Sequence, residues 1–193
     1  MNIAEEYLNG LKKRISEYGS EDDLHMLSIA EGASKEEINK LKRFYPECPS
    51  ELIDQLKCIN GTYHRKQGNH SICVYMLGSD LGDYPYFLLS IEQMLKRYND
   101  DLDFSYLMDC LPNENPLDKK INTVLNAGTY LHFSDCMNNG GTSQLYIDFN
   151  PTKEGIKGQI IRCVHDPDEC KVIAASFGEY LKYLIDNKYE FVF

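Results

Sequence analysis

Apolar residues recur at a helical period along the first third of the chain. Ile3, Tyr7, Leu11 and Ile15 stand four apart, with Glu5, Glu6, Lys12 and Lys13 off their stripe. That pattern predicts a helix over residues 2–18 with one buried face, and Gly19-Ser20 ends it. Leu24, Met26, Leu27 and Ile29 follow in a short segment of no clear period. Ser34 and Glu37 have capping-box spacing, in which each side chain satisfies an orphan amide at a helix start. The helix they open points Ile38, Leu41 and Phe44 or Tyr45 inward and stops at Pro46. Pro49-Ser50 opens another, with Leu52, Ile53, Leu56 and Ile59 on one face. Asn60-Gly61 closes it, because glycine takes the left-handed conformation at little cost.

From His70 the period changes to two. Ile72, Val74 and Met76 alternate with Ser71, Cys73 and Tyr75, which predicts a strand, and Tyr86 to Leu89 predicts a shorter one. Ser90 and Gln93 form a further capping box, ahead of Ile91, Met94, Leu95 and Tyr98. Residues 99–120 are rich in loop chemistry (Asn99-Asp100-Asp101, Pro112 to Pro116), with Phe104, Tyr106, Leu107 and Leu111 placed to anchor a short turn of helix. Thr129 to Phe133 and Leu145 to Phe149 then alternate as half-buried strands around Asn138-Asn139-Gly140-Gly141, a hairpin signal. Gln159 to Val164 and Val172 to Ala174 add two more strands on short connections, implying an antiparallel meander. Ser176 and Glu179 cap a last helix carrying Phe177, Tyr180, Leu181, Leu184 and Ile185. The tail Tyr189 to Phe193 reads as an edge strand or a docked end.

Helices first, strands in the middle and a helix at the end predict an α+β fold. Its core is a twisted, largely antiparallel sheet with helices packed around it. Without repeats or linkers, residues 1–193 read as a single domain. Residues 1–29 form an N-terminal helical extension and residues 99–120 an irregular acidic insertion.

Charge adds one feature to this picture. Thirty acidic residues face twenty basic ones, a net −10, which repels nucleic-acid backbones and anionic membranes and steers a basic protein partner inward. From Gly78 to Asp118 nine acids meet only Lys96 and Arg97, a local charge of −7. The seven cysteines form no C-x-x-C pair. They read as free thiols packed as small hydrophobes in a reducing compartment. With no leader and no long apolar run, a cytoplasmic protein is expected. Asn60-Gly61-Thr62 is read as a chance glycosylation match.

The chain offers little catalytic chemistry. His165-Asp166-Pro167-Asp168-Glu169-Cys170 gathers ligand types, but Pro167 makes it a turn and no second His stands at helical spacing, so no metal is expected. Ser176 has no nucleophile elbow around it. Gly140-Gly141 precedes a strand rather than a helix, so it makes no phosphate cradle. No cofactor is expected.

Several features occur together in one order. Ala33-Ser34-Lys35-Glu36-Glu37-Ile38, Cys48-Pro49-Ser50-Glu51-Leu52 and Ile59-Asn60-Gly61 come first. Leu145-Tyr146-Ile147-Asp148-Phe149-Asn150-Pro151, Gly158-Gln159-Ile160-Ile161 and Ala174-Ala175-Ser176-Phe177 follow. The set, over about residues 30–186, resembles the SUKH superfamily, whose founding members are fungal cell-wall assembly regulators. The chain lacks the family's frequent Trp residues and has Gly140-Gly141-Thr142 where Gly-Gly-Asp is common.

The resemblance implies a non-catalytic binding protein. Bacterial members are thought to be mostly immunity proteins that neutralise a cognate polymorphic toxin, commonly a nuclease or another nucleic-acid-modifying enzyme. The expected contacts to such a basic toxin are Asp80, Asp83, Asp100, Asp101 and Asp103, with Tyr84 and Tyr106 as anchors. The alternative is a regulatory scaffold holding a peptide or small ligand in a cleft lined by Asp148, Asn150 and Asp166.

Overall fold

The computed structural model describes residues 2–82, 84–110, 116–136, 143–165 and 167–193, with only the backbone of 108–110. Four helices come first: α1 (Ile3–Tyr18), α2 (Glu21–Ile29), α3 (Lys35–Phe44) and α4 (Ser50–Cys58). α1 opens on a capping box in which Asn2 accepts from Glu5 N and the Glu5 carboxylate accepts from Asn2 N. Ser34 and Glu37 do the same for α3. The weakly patterned 21–29 segment is helical because Ser20 caps it, accepting from Asp23 N. Pro49 stands at the start of α4, where its missing amide costs nothing.

After Cys58 the chain turns at Gly61, whose φ of +87° and approach to Ser90 N (2.5 Å from where a Cβ would stand) admit no side chain. Asn60 is buried, giving Nδ2–H to Glu37 Oε1 and accepting from Ile91 N, so the glycosylation match is inaccessible. The strand expected over 72–76 is only partly formed. β1 (Arg65–Gln67) and β2 (His70–Ile72) make a small hairpin, and the chain then runs extended to a bridge between Leu77 and Tyr86.

A five-stranded antiparallel sheet follows, in the order β3-β6-β7-β8-β9. Its strands are β3 (Phe87–Leu88), β6 (Tyr130–Cys136), β7 (Ser143–Asp148), β8 (Gln159–Val164) and β9 (Glu169–Ala174). The hairpin turn signal at Asn138 to Gly141 lies outside the described residues, but β6 and β7 on either side of it pair antiparallel.

Alternation sends Leu131, Phe133, Leu145, Ile147 and Ile160 to one face. There they meet α7 (Phe177–Asp186), with Phe133 edge-on to Phe177 at 5.4 Å, and α7 packs in turn against α1, whose buried stripe is Tyr7, Leu8, Leu11 and Ile15. Each such side chain contributes about 1.5–3 kcal/mol on burial. Ser176 caps α7 by accepting from Glu179 N.

The other face carries Tyr130, Tyr146, Ile161 and Cys170, and it is covered too. Its cover is the stretch around residues 99–125. β4 (Leu102–Asp103) pairs with β5 (Val124–Leu125), α6 (Ser105–Cys110) is the short helix expected there, and Phe104, Leu107, Leu117, Ile121 and Leu125 are buried against the sheet. Exposed acids on the outer side of this stretch (Asp100, Asp101, Asp103) conceal an apolar inner side. Between them, α5 (Ile91–Lys96) packs beside α3.

One expectation is corrected and one open alternative is decided. Cys163 and Cys170 are joined by a disulfide rather than being free thiols. They are direct cross-strand partners in the β8–β9 hairpin, equidistant from its turn, with Cα atoms 4.2 Å apart. The tail is a docked end, not an edge strand. Lys188 and Tyr189 take positive φ (52° and 55°), which breaks the extended path and lays Tyr189 on α1, where its hydroxyl donates to Tyr7 O at 3.0 Å.

Candidate functional site

The acidic residues fall into two groups. Asp80 lies in the loop before β3 and is held by Arg162 of β8. Nε donates to Asp80 Oδ1 (2.5 Å), and Nη2 donates to Asp80 Oδ2 (3.0 Å) and to Glu169 Oε1 (2.6 Å). Lys171 completes the network by bonding Glu169. The Arg162 side chain is 1% exposed. Its burial favours the neutral form, but the bonds to Asp80 and Glu169 outweigh that and hold its pKa above the usual arginine value. Burial likewise raises the Glu169 carboxyl, and the bonds from Lys171 and Arg162 outweigh it, keeping it below the usual glutamate range.

Asp100, Asp101 and Asp103 form the second group, at the β4–α6 corner. All three are exposed. Asp100 faces Arg97 at 3.6 Å, and its carbonyl accepts from the Tyr130 hydroxyl at 2.9 Å. Asp101 Oδ1 accepts from Ala127 N at 2.6 Å. Asp103 Oδ1 accepts from Ser105 N (2.8 Å) and from the Ser105 hydroxyl, which lowers its pKa and caps α6. Tyr106 stands one turn on and is 47% exposed.

These groups do not meet. Arg162 pairs across from Leu145, on the face under α7, so Asp80 belongs to that side. The 102–106 segment packs against Tyr146 and Cys163 on the opposite face. Tyr84 is half-buried against the core on the first side. Asp83 and Asp166 lie outside the described residues.

Of the second expected cleft, Asp148 is buried. Its Oδ1 accepts from Asn150 N (2.8 Å) and its Oδ2 from Gln159 Nε2 (2.9 Å). Burial still wins and raises its pKa. Asn150 is exposed, with its carbonyl taken by Asn122 Nδ2 at 2.6 Å. Asp148 therefore holds the β7–β8 connection together and presents no carboxylate to a ligand.

Two concavities were not foreseen. One, of about 280 Å³, lies where β4 and α6 cross the ends of β7 and β8, and is lined by Asp103, Phe104, Tyr106, Gln144, Tyr146 and His165 among others. The other, of about 530 Å³, runs between the end of α1 and the tail, past Ile15, Asp23, Tyr75, Pro85 and Phe191. Each is assembled from segments far apart in the chain, which leaves no local sequence signal. Arg162 was also missed. The signal was present: a lone cation inside an apolar strand must be exposed or paired.

Among the described residues, no three His, Cys, Asp or Glu side chains gather as a metal set. The Nε2 of the buried His132 lies 3.1 Å from the carbonyl of Ser134 and 3.3 Å from Asp135, and the ring tilts against Tyr146 at 4.8 Å. Among the described residues no helix is long and apolar enough to cross a membrane.

The strand order, the Ser34–Glu37 box, the Asn60-Gly61 stop and the capped last helix reproduce the ordered features that suggested a family. A family model, that of the SMI1/KNR4 family (SUKH-1), matches residues 32–183, most of the chain. The chain belongs to the SMI1/KNR4 family. A comparison with curated proteins finds no match. The SUKH-1 match begins at Gly32, just before α3, and ends at Tyr183 within α7. α1 lies outside it, yet packs against α4 and α7 inside it. Membership supports a non-catalytic role of the immunity or regulator type.

Proposed function

We propose that this SUKH-1 chain acts as one domain over 1–193, in the cytoplasm, as an immunity protein. It binds and neutralises a cognate polymorphic toxin, a nuclease or another nucleic-acid-targeting enzyme. The family match carries this reading. The charge supports it, since a basic toxin is drawn to a −10 protein while nucleic acid and anionic membrane are repelled. Asp100, Asp101 and Asp103 form the leading edge of the contact, with Tyr106 as an aromatic anchor. Asp80 and Tyr84 flank a second, separate part of the surface, and Asp83 is proposed as a contact from its sequence position alone. Exposed charges of this kind mainly accelerate encounter and exclude wrong partners.

The second reading is a regulatory scaffold that binds a peptide. The groove past Ile15, Tyr75, Pro85 and Phe191 favours it, because its volume of about 530 Å³ suits a short apolar segment.

Co-expression tests the first reading. The toxin domain encoded beside this gene arrests growth alone; with this chain, growth recovers and the two proteins co-purify. Arrest that persists with this chain abundant and soluble, and no co-purification, would refute it.

A further inference from the structure

The concavity over the end of the sheet has a composition that selects its occupant. Its walls are aromatic: Phe104 and Tyr106 from the β4–α6 corner, and Tyr146 from β7. Asp103 stands among them with its Oδ1 bonded by Ser105. The residue is exposed, so its carboxylate is reachable by an incoming donor. Gln144 adds a carbonyl oxygen, which accepts from the Tyr146 hydroxyl at 2.5 Å. Asp100 and Asp101 extend the negative field beyond the cleft. Nearby, Arg97 faces Asp100 and the His165 ring bonds Asp168.

Size narrows the choice. The volume of about 280 Å³ lies at or below the small end of cofactor and drug-sized sites, roughly 300–1,000 Å³. It suits one long side chain. The walls are also fixed before binding. Phe104 N donates to Thr123 O at 2.8 Å, Leu107 anchors α6 in the second core, and Tyr146 is buried. Little ordering is then left to oppose association.

We propose that this cleft receives a single arginine side chain of the partner protein. The guanidinium stacks on Tyr106, the exposed aromatic of the cleft, above the buried Phe104 and Tyr146, and its donors reach the Asp103 carboxylate and the Gln144 side-chain carbonyl. A planar, weakly hydrated cation with a fork of donors fits aromatic faces beside a carboxylate better than an ammonium does. This rests on the immunity reading for the identity of the protein that bears the arginine, and on the cleft alone for the chemistry.

Two measurements separate those layers. The first uses small probes on the whole chain: acetyl-arginine amide, acetyl-lysine amide and acetyl-citrulline amide, followed by backbone amide shifts. Arginine gives saturable shifts confined to residues 102–107, 144–146 and 163–165, with Kd on the order of millimolar. Lysine is several-fold weaker and citrulline gives none. Scattered or unsaturable shifts, or citrulline matching arginine, overturn the proposal.

The second measurement uses the cognate toxin and compares Asp103→Asn with Asp100→Asn. Both remove one charge, and asparagine keeps the Oδ1 cap on Ser105, so the fold is retained. Asp103→Asn raises the off-rate about tenfold or more, whereas Asp100→Asn changes only the on-rate, and by a few-fold. Equal effects of the two on the on-rate alone overturn the arginine anchor. A toxin that ignores the wild-type chain while the arginine probe still binds refutes the immunity reading and leaves the cleft standing.

Discussion

Arg162 and Asp80, 82 residues apart in the chain, are joined by two hydrogen bonds of 2.5 and 3.0 Å, side-on and parallel. The arginine is enclosed while the aspartate side chain keeps 37% of its exposure. The pair ties the loop before β3 to the far side of the sheet. Arg162 Nη1 has no partner among the described residues, so three described bonds hold the guanidinium.

Removing the arginine therefore costs more than removing the acid. Arg162→Ala loses about 3–5 kcal/mol of unfolding free energy, the usual result of breaking a buried pair. Arg162→Met loses less, because it refills the space and the orphaned Asp80 and Glu169 can turn to water. Asp80→Asn loses about 1 kcal/mol, since a hydrogen bond to the guanidinium survives. Urea midpoints at neutral pH measure all three. A null effect of Arg162→Ala would show the network to be ornamental.

Two carboxyls give the stability a readable pH profile. The buried Asp148 has a raised pKa in the folded chain. Between the unfolded aspartate value, about 3.9, and that raised value the folded chain binds more protons than the unfolded one, so stability falls as pH rises. Glu169 has a lowered pKa. Its contribution is full above the unfolded value of about 4.3 and is lost as pH falls through the lowered one. Stability thus declines on either side of a point near pH 4, as far as these two groups are concerned. Asp148→Asn removes the decline on the alkaline side and leaves the acid one, which denaturation curves across pH 3–7 would reveal.

α1 lies outside the SUKH-1 match but inside the core. Its Tyr7 and Leu11 are fully buried, and the Tyr7 hydroxyl bonds the Met76 carbonyl. Leu11→Ala costs about 2–5 kcal/mol, and Tyr7→Phe about 1–3 kcal/mol for the unsatisfied carbonyl. Chain lacking residues 1–18 exposes the faces of α4 and α7 and aggregates. A truncated chain as stable as the full one would make α1 an accessory.

How much of this was visible beforehand depended on range. The capping boxes at Ser34 and Ser90 and the period-two runs of β6, β7 and β8 are local, and they fixed the helices and the sheet. Asn2-x-x-Glu5 and Ser20-x-x-Asp23 were equally local, and only the weak period of 21–29 hid α2. Long-range pairings were hidden. Nothing near Arg162 points to Asp80, and the inner side of 99–125 is interrupted by Asp, Asn and Pro that read as loop. The alternating tail would suit a strand; only the positive φ at Lys188 and Tyr189 sends it onto α1. Cys163 and Cys170 were legible in retrospect, once the turn at His165 to Asp168 is placed midway between them.

A cytoplasmic role requires the fold to survive opening of that disulfide, since reducing compartments keep such pairs as thiols. The bridge closes a loop of sequence separation 7. Constraining so short a loop in the unfolded chain is worth at most about 2.5 kcal/mol. Reductant should lower the urea midpoint modestly and leave the circular dichroism spectrum intact. Collapse of the fold on reduction would place the protein in an oxidising compartment.

The central claim is that this chain captures a basic toxin by charge and then holds it. The most direct test is association of the purified chain with its purified toxin, followed by stopped flow from low to high salt. The account predicts a stable complex whose on-rate falls about tenfold or more between roughly 50 and 500 mM salt, with a much smaller change in off-rate. No complex at micromolar concentrations of both proteins, with the toxin still active, would contradict it.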